Sequence, residues 1–379
     1  MQVLYLAHDL DDAAIWRRAG MLRQGGASVR LAGFRRGDGP LPGPATVLGR
    51  TRDGRMARRA GAVLAALPGL PGRLPPGPAP DVILARNLEM LALGARLAAR
   101  HPAARLVYEL LDVHRLLSGS GSVPAVLRAV EAALMRRAAA VVISSPGFAQ
   151  HYLGPFRRPA AEVLLAENKP LAEAAPSQPA GRPAGRPAGG PTVIGWFGIL
   201  RCAWSLQALD RLTRAAPGRF RVDLRGRPAR DVLPDFDAVV AANPDLTFHG
   251  AYAAEELPAI YGAVDLAWLI DRFEAGGNSD WLLPNRLYEG CLHGAVPLAL
   301  AGTETARRLA DLGIGVVAAA ASDAALTRAL AAPDLPALRA AVLRLPRATW
   351  EADTAECRGF VADLARLGGP GPMAALVPA

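Results

Sequence analysis

LTFHGAYAAEELPAIYGAVDLAWLIDRFEAGGNSDWLLPNRLYEGCLHGAVPLA, running from Leu246 to Ala299, is the stretch that decides the reading of this chain. It holds two short apolar strands, each followed by a helix with apolar residues at helical spacing, the alternation of a parallel sheet. A loop rich in Gly, Asn and Ser, Glu274 to Ser279, lies where an open α/β sheet keeps its ligand. Pro284-Asn285-Arg286 then opens a helix that carries Glu289 in its first turns. A helix N-terminus is electropositive and has unpaired N–H groups, so it suits a phosphate or sugar hydroxyls. The stretch reads as a nucleotide-sugar site.

Working outward, 379 residues exceed one ordinary domain and allow two cores. A hydrophobic content of 51% excludes wholesale disorder. The formal charge is +9, carried by arginine, because Lys169 is the single lysine. That balance favours anionic partners: nucleotide phosphates, lipid phosphates or an acidic membrane surface. No basic block is interleaved with aromatics, which argues against nucleic acid. Cys202, Cys291 and Cys357 lie far apart with no CxxC pair, so neither a disulfide framework nor structural zinc is expected. MQVLYLAHD at the start reads as a strand rather than a signal peptide, and no apolar run approaches the ~20 residues that span a bilayer. The expectation is a cytoplasmic protein, soluble or peripheral on the inner face of the plasma membrane.

Gln2 to Ala7, Ala13 to Gln24 and Val29 to Gly33 read as a β-α-β unit. His8 and Asp9 sit in its first loop, a natural ligand position, and no GxGxxG is present there. His8 is either a satisfied strand-end histidine or a donor towards an acceptor sugar. Residues 38–80 are rich in Gly, Pro and Arg, with one amphipathic segment, Arg55 to Leu67. That segment either covers the sheet with a solvated arginine face or meets a membrane surface. Past the strand Arg105 to Leu110, Asp112 and His114 can orient or deprotonate a hydroxyl, or else cap a helix beside a surface histidine. Residues 1–171 form a first domain. Residues 172–191, AEAAPSQPAGRPAGRPAGGP, read as a linker. A second domain spans 192–347, with Gly198, Arg201 and Ser205 after its first strand, Thr192 to Phe197. Residues 348–379 supply a final helix, which would pack back on the first domain, and a tail. Asp235-Phe-Asp237 spells a metal-chelating DxD elsewhere, but here it precedes a helical segment after a proline and reads as capping.

The second domain resembles the carboxy-terminal half of GT-B glycosyltransferases, and more narrowly the bacterial family 4 of sugar-nucleotide-dependent enzymes. Gly198, Arg201 and the following helix are similar to that family's diphosphate loop. Phe248-His-Gly250, Glu255-Glu256-Leu257-Pro258, Tyr261 and Asp265, then Glu289 with Gly294 and Pro297, are similar to its later elements. The amino half, with HDL after the first strand and YELLDVH later, resembles the acceptor domain of succinoglycan-type exopolysaccharide glycosyltransferases. The resemblance implies an α/β, GT-B architecture of two Rossmann-like domains facing across a cleft. It implies transfer of a sugar from a UDP- or GDP-sugar to a polyprenyl-diphosphate-linked saccharide, with retention and with neither cofactor nor metal. Arg201 would hold the diphosphate, with Ser205 at the helix start, and Glu289 would hold the ribose. Gly198, Gly250, Asn278, Asn285 and Arg286 would complete the donor site, and His8, Asp9, Asp112 and His114 would face the acceptor.

Two departures stand out. The family pairs two glutamates eight residues apart, and Trp281 stands where the first belongs, leaving Asp280, Asn278 or Glu274 to supply it. Its diphosphate loop carries a lysine after the arginine, where this chain has Trp204-Ser205. A sugar-nucleotide epimerase of the same architecture and a non-catalytic nucleotide- or sugar-binding protein are the competing readings.

Overall fold

The structure is a computed structural model that describes residues 1–51, 69–74, 76–113, 115–156, 161–172 and 189–367. The segment Arg55 to Leu67, His114, most of the 172–191 stretch and the tail past 367 lie outside the described residues.

The chain divides into two compact units, residues 1–171 with 352–379, and residues 172–351. In the first, strands β1 (Gln2–Ala7), β2 (Ser28–Arg35), β3 (Thr46–Arg50), β4 (Val82–Arg86), β5 (Arg105–Leu110), β6 (Ala140–Ile143) and β7 (Glu162–Leu165) form one parallel sheet, in the order β3-β2-β1-β4-β5-β6-β7. β4 and β6 are buried at every position, as strands covered on both faces require. Helix α1 (Ala13–Gln24) is capped by Asp12, whose carboxylate accepts from the Ala14 N–H at 2.9 Å. Its apolar face, with Ile15, Ala19 and Leu22, packs into the same core as Val3, Tyr5, Val82 and Val107.

The C-terminal helix Thr354–Arg366 belongs to this first unit. Cys357, Phe360, Leu364 and Leu367 join its core. Leu171 and Ala352 pair as an isolated parallel bridge, and Lys169 Nζ reaches Glu356 at 2.8 Å. Gly25 at the end of α1 lets that helix close in, because a Cβ there would collide with the Cys357 carbonyl.

The second unit repeats the plan with six parallel strands in the order β10-β9-β8-β11-β12-β13. They are β8 (Thr192–Leu200), β9 (Phe220–Pro228), β10 (Leu246–Phe248), β11 (Leu266–Trp268), β12 (Val296–Leu300) and β13 (Val316–Ala318). Helix α2 (Ala203–Ala215) follows β8, and helix α3 (Asn285–Leu292) precedes β12. In both units the strand order reverses beside the first strand, between β1 and β4 and between β8 and β11. Open α/β sheets take their ligands at that switch point, outside the carboxyl ends of the strands.

The helical segment after Pro234 spans only Phe236–Ala241, because Val232 and Leu233 close turns onto the Ala229 carbonyl before it. Asp235 stands at its N-cap position without a side-chain capping bond, and Asp237 instead grips Arg230 at 2.8 and 2.9 Å.

Candidate functional site

At the carboxyl edge of the second sheet the backbone is built for close approach. Gly198, Gly226 and Gly250 all adopt left-handed φ, at 102°, 122° and 82°. Gly198 pairs with Gly226 across β8 and β9, and the Gly226 N–H donates to the Gly250 carbonyl at 2.7 Å. A Cβ at Gly226 would lie on the Gly198 carbonyl oxygen, so the row can be made only of glycine there.

Arg201 follows β8 directly. Its Nε donates to Asp271 Oδ2 at 3.3 Å, and its guanidinium lies over the Phe273 ring, 4.9 Å from the centroid. Ser205, in the first turn of α2, is fully buried. Its hydroxyl accepts from Trp268 Nε1 at 3.0 Å and donates towards the Ile270 carbonyl, also at 3.0 Å. Buried tryptophan N–H groups need such an acceptor, which explains the inward turn. Ser205 therefore enters the edge through its place in the helix start, not through its hydroxyl.

Pro284 caps α3, putting Asn285 and Arg286 in its first turn. Arg286 Nη1 donates to the Phe197 carbonyl at 3.4 Å, tying that turn to β8 next to Gly198. Glu289 lies one turn further on and is 5% exposed. Burial raises the Tyr261 hydroxyl well above its ordinary range, and the nearby Glu289 charge adds to that. Asn278 is buried in the short helix Asn278–Trp281, where the Asp280 carboxylate accepts from the Gly276 N–H at 2.6 Å. Asp280 is thus engaged in its own loop. The Glu274 N–H donates to the Ser279 hydroxyl oxygen at 3.0 Å.

In the first unit, Asp9 lies just past β1 and is 6% exposed, paired with Arg36 Nε at 3.0 Å. Burial raises its carboxyl, against the pull of Arg36. Burial also works to raise Asp11, but hydrogen bonds from Arg35 and from the Gly37 and Arg36 N–H groups hold it at about 2. Asp9 and Asp11 together staple the β1 loop to the loop after β2. His8 is half-buried at the end of β1 and Asp112 is exposed just past β5. His114 lies outside the described residues.

The same edge holds a charge network without a counterpart among the described residues of the second unit. Glu109 accepts from Arg18 Nε at 2.7 Å and from the Tyr5 hydroxyl at 2.7 Å, and Tyr5 accepts from Arg86 Nη1 at 2.9 Å. All four side chains are 3% exposed or less. Burial would raise Glu109, but Arg86 and Arg18, with the Tyr5 hydrogen bond, hold it below its usual range.

Sequence reading missed Asp271, Phe273 and this network. Among the described residues no cluster of His, Cys, Asp and Glu is placed to hold a metal ion, and no helix is long and apolar enough to cross a membrane.

No family model matches the chain. It is 44% identical to the succinoglycan biosynthesis protein ExoL of Rhizobium meliloti, over 97% of this chain and 94% of that protein. HepE from Anabaena, solved with UDP and glucose, superposes with a TM-score of 0.65 at 16% identity, covering 96% of this chain and 99% of that one. Sucrose-phosphate synthase from Thermosynechococcus elongatus gives a TM-score of 0.66 at 13% identity, covering 96% and 94%. These structural likenesses establish the GT-B glycosyltransferase fold.

Proposed function

Since the chain belongs to the family of the succinoglycan biosynthesis protein ExoL and has the GT-B fold, we propose that it is a glycosyltransferase of exopolysaccharide synthesis. In this reading it moves a sugar from a UDP-sugar to a saccharide carried on polyprenyl diphosphate, with retention at the anomeric carbon and without a metal. HepE has been captured with UDP and with UDP-glucose, and we extend the uridine donor to this chain.

The observation that carries the proposal is the convergence at one sheet edge of Arg201, the glycine row and the first turn of α3, drawn in by Arg286. Breaking the bond from the anomeric carbon to the diphosphate leaves negative charge on the departing phosphate. A fixed cation placed there lowers the barrier, usually as a large catalytic contribution. Arg201 supplies it, aided by the N-terminus of α2. Glu289 accepts the ribose hydroxyls, and the glycines let backbone come up against the nucleotide. The acceptor hydroxyl attacks the anomeric carbon on the face the diphosphate leaves, and its proton passes to a departing phosphate oxygen. His8 and Asp112, at the carboxyl edge of the first sheet, position the acceptor, as does His114; no separate base is needed. Asp9, tied to Arg36, serves that side by shaping the loop.

Calorimetric titration with UDP, GDP and ADP tests this. UDP is expected to bind, and Arg201→Ala and Glu289→Ala each to weaken it roughly 10- to 100-fold, the usual worth of a charge-assisted contact. Folded protein that binds no nucleotide, or a Glu289→Ala variant that binds UDP as tightly as wild type, sinks the donor assignment.

A further inference from the structure

Arg201 and Asp271 are 70 positions apart in sequence, yet they meet at 3.3 Å across the switch point of the second sheet, one after β8 and the other after β11. The manner of the meeting is informative. Asp271 divides its carboxylate: Oδ1 accepts from the Phe273 N–H at 2.8 Å, and only Oδ2 turns to Arg201 Nε. A two-pronged ion pair would consume the donor edge of the guanidinium that a phosphate needs. Here the carboxylate touches one nitrogen. Phe273 covers one face of the guanidinium, and the two terminal nitrogens are left to what lies beyond.

The carboxylate is anchored through its loop. The loop that carries it is fastened to the β8 exit twice, by the Ser205 hydroxyl on the Ile270 carbonyl at 3.0 Å and by the Arg272 N–H on Cys202 Sγ at 3.2 Å. Asp271 is 14% exposed and Arg201 30% exposed at the side chain. A free arginine side chain gives up rotamer freedom when it is fixed. An arginine already held at Nε and along one face has surrendered much of that before ligand arrives.

We propose that Asp271 is a positioning residue, which with Phe273 holds Arg201 so that its terminal nitrogens receive the diphosphate of the donor. This rests on the donor site proposed above. It also gives Asp271 a task different from that of the family's missing glutamate at Trp281: it acts through Arg201 and does not touch the sugar.

The test compares UDP with uridine, which lacks the diphosphate, in wild type, Asp271→Ala, Arg201→Ala and the double variant. Asp271→Ala is expected to weaken UDP about 5- to 20-fold, a typical coupling between contacting residues, and to leave uridine unchanged. In the Arg201→Ala background the same change is expected to cost nothing, and to strengthen UDP if anything, because it then removes only a repelling charge. Phe273→Ala, at a residue 37% exposed and so dispensable for folding, is expected to weaken UDP in the same direction by less. An Asp271→Ala loss that persists in the Arg201→Ala background, or that falls equally on uridine, overturns the proposal. So does an Asp271→Ala variant that binds UDP like wild type while Arg201→Ala does not. If Arg201→Ala binds UDP like wild type, the donor assignment itself fails instead.

Discussion

The two sheets share one winding plan but treat their switch points in opposite ways. Beside β1 and β4, the polar groups are spent on one another: Arg18, Glu109, Tyr5 and Arg86 close a network beneath the surface. Beside β8 and β11, bulk is removed by glycines, and one arginine is held by a single oxygen and a ring face. The first edge turns its charges inward on one another, and the two Arg86 nitrogens that find no hydrogen-bond partner, Nε and Nη2, are buried with the rest. The second keeps hydrogen-bonding capacity unspent, and such unspent capacity is what a charged substrate requires. An ion pair at a sheet edge is therefore not by itself a mark of a site; what matters is whether its unspent donors can be reached, as they can at Arg201 and cannot at Arg86.

The largest effect that would test this contrast is at Glu109. Glu109→Ala would leave Arg18 and Arg86 buried without their carboxylate, at a cost of about 3–5 kcal/mol. Urea denaturation followed by circular dichroism measures it. A loss below about 1 kcal/mol would mean that the network is not what holds that edge. Next comes Gly226→Ala, which combines a φ of 122° with a Cβ on the Gly198 carbonyl. Its cost should be on the order of 2–3 kcal/mol, confined to the second unit. Tryptophan fluorescence reads that unit well, since Trp196, Trp204, Trp268, Trp281 and Trp350 lie in it and only Trp16 in the first. An unchanged fluorescence transition would break the claim that the glycine row is sterically required.

A third test is a pH dependence that separates the units. Burial, with Arg347 near and Glu351 opposing, pushes His293 at the end of α3 down to about 4 from 6.5. Between those values the unfolded chain takes up a proton that the folded unit refuses, so stability falls as pH drops through that window. Glu109 is also lowered in the fold, but from 4.5, so its contribution is present above that pH and is lost only below it. On acidification the tryptophan-reported unit should weaken first. His293→Gln should flatten that slope between pH 6.5 and 4; an unaltered slope would assign it to other groups.

Much of this was legible in the chain itself. The buried strands announced themselves as apolar runs, and α3 begins at Asn285 as Pro284 dictates. β3 was not foreseen because it is a five-residue edge strand in which only Leu48 is buried, leaving almost no apolar signal. Arg201, Glu289, Gly198 and Gly250 could be picked out locally, by position after a strand or within a helix start, but Gly226 was not among them. Asp271 could not, since its meaning comes from a contact made by two loops brought together only by the sheet. The fate of the Ser205 hydroxyl was hidden for a related reason: the residue could be placed at a helix start, but the tryptophan that claims its hydroxyl lies 63 residues away.

The return of the last helix to the first unit has a consequence for how the protein is made. A ribosome that has released residues 1–171 has delivered every strand of the first sheet but not Phe360, Leu364 or Leu367, which close its core. The side of α1 that receives the last helix, at Arg18 and Gly25, stays uncovered while all of the second unit is synthesised. The domain begun first is finished last, and the interval between is a span of translation during which a half-built core is exposed to whatever else in the cell binds greasy surfaces.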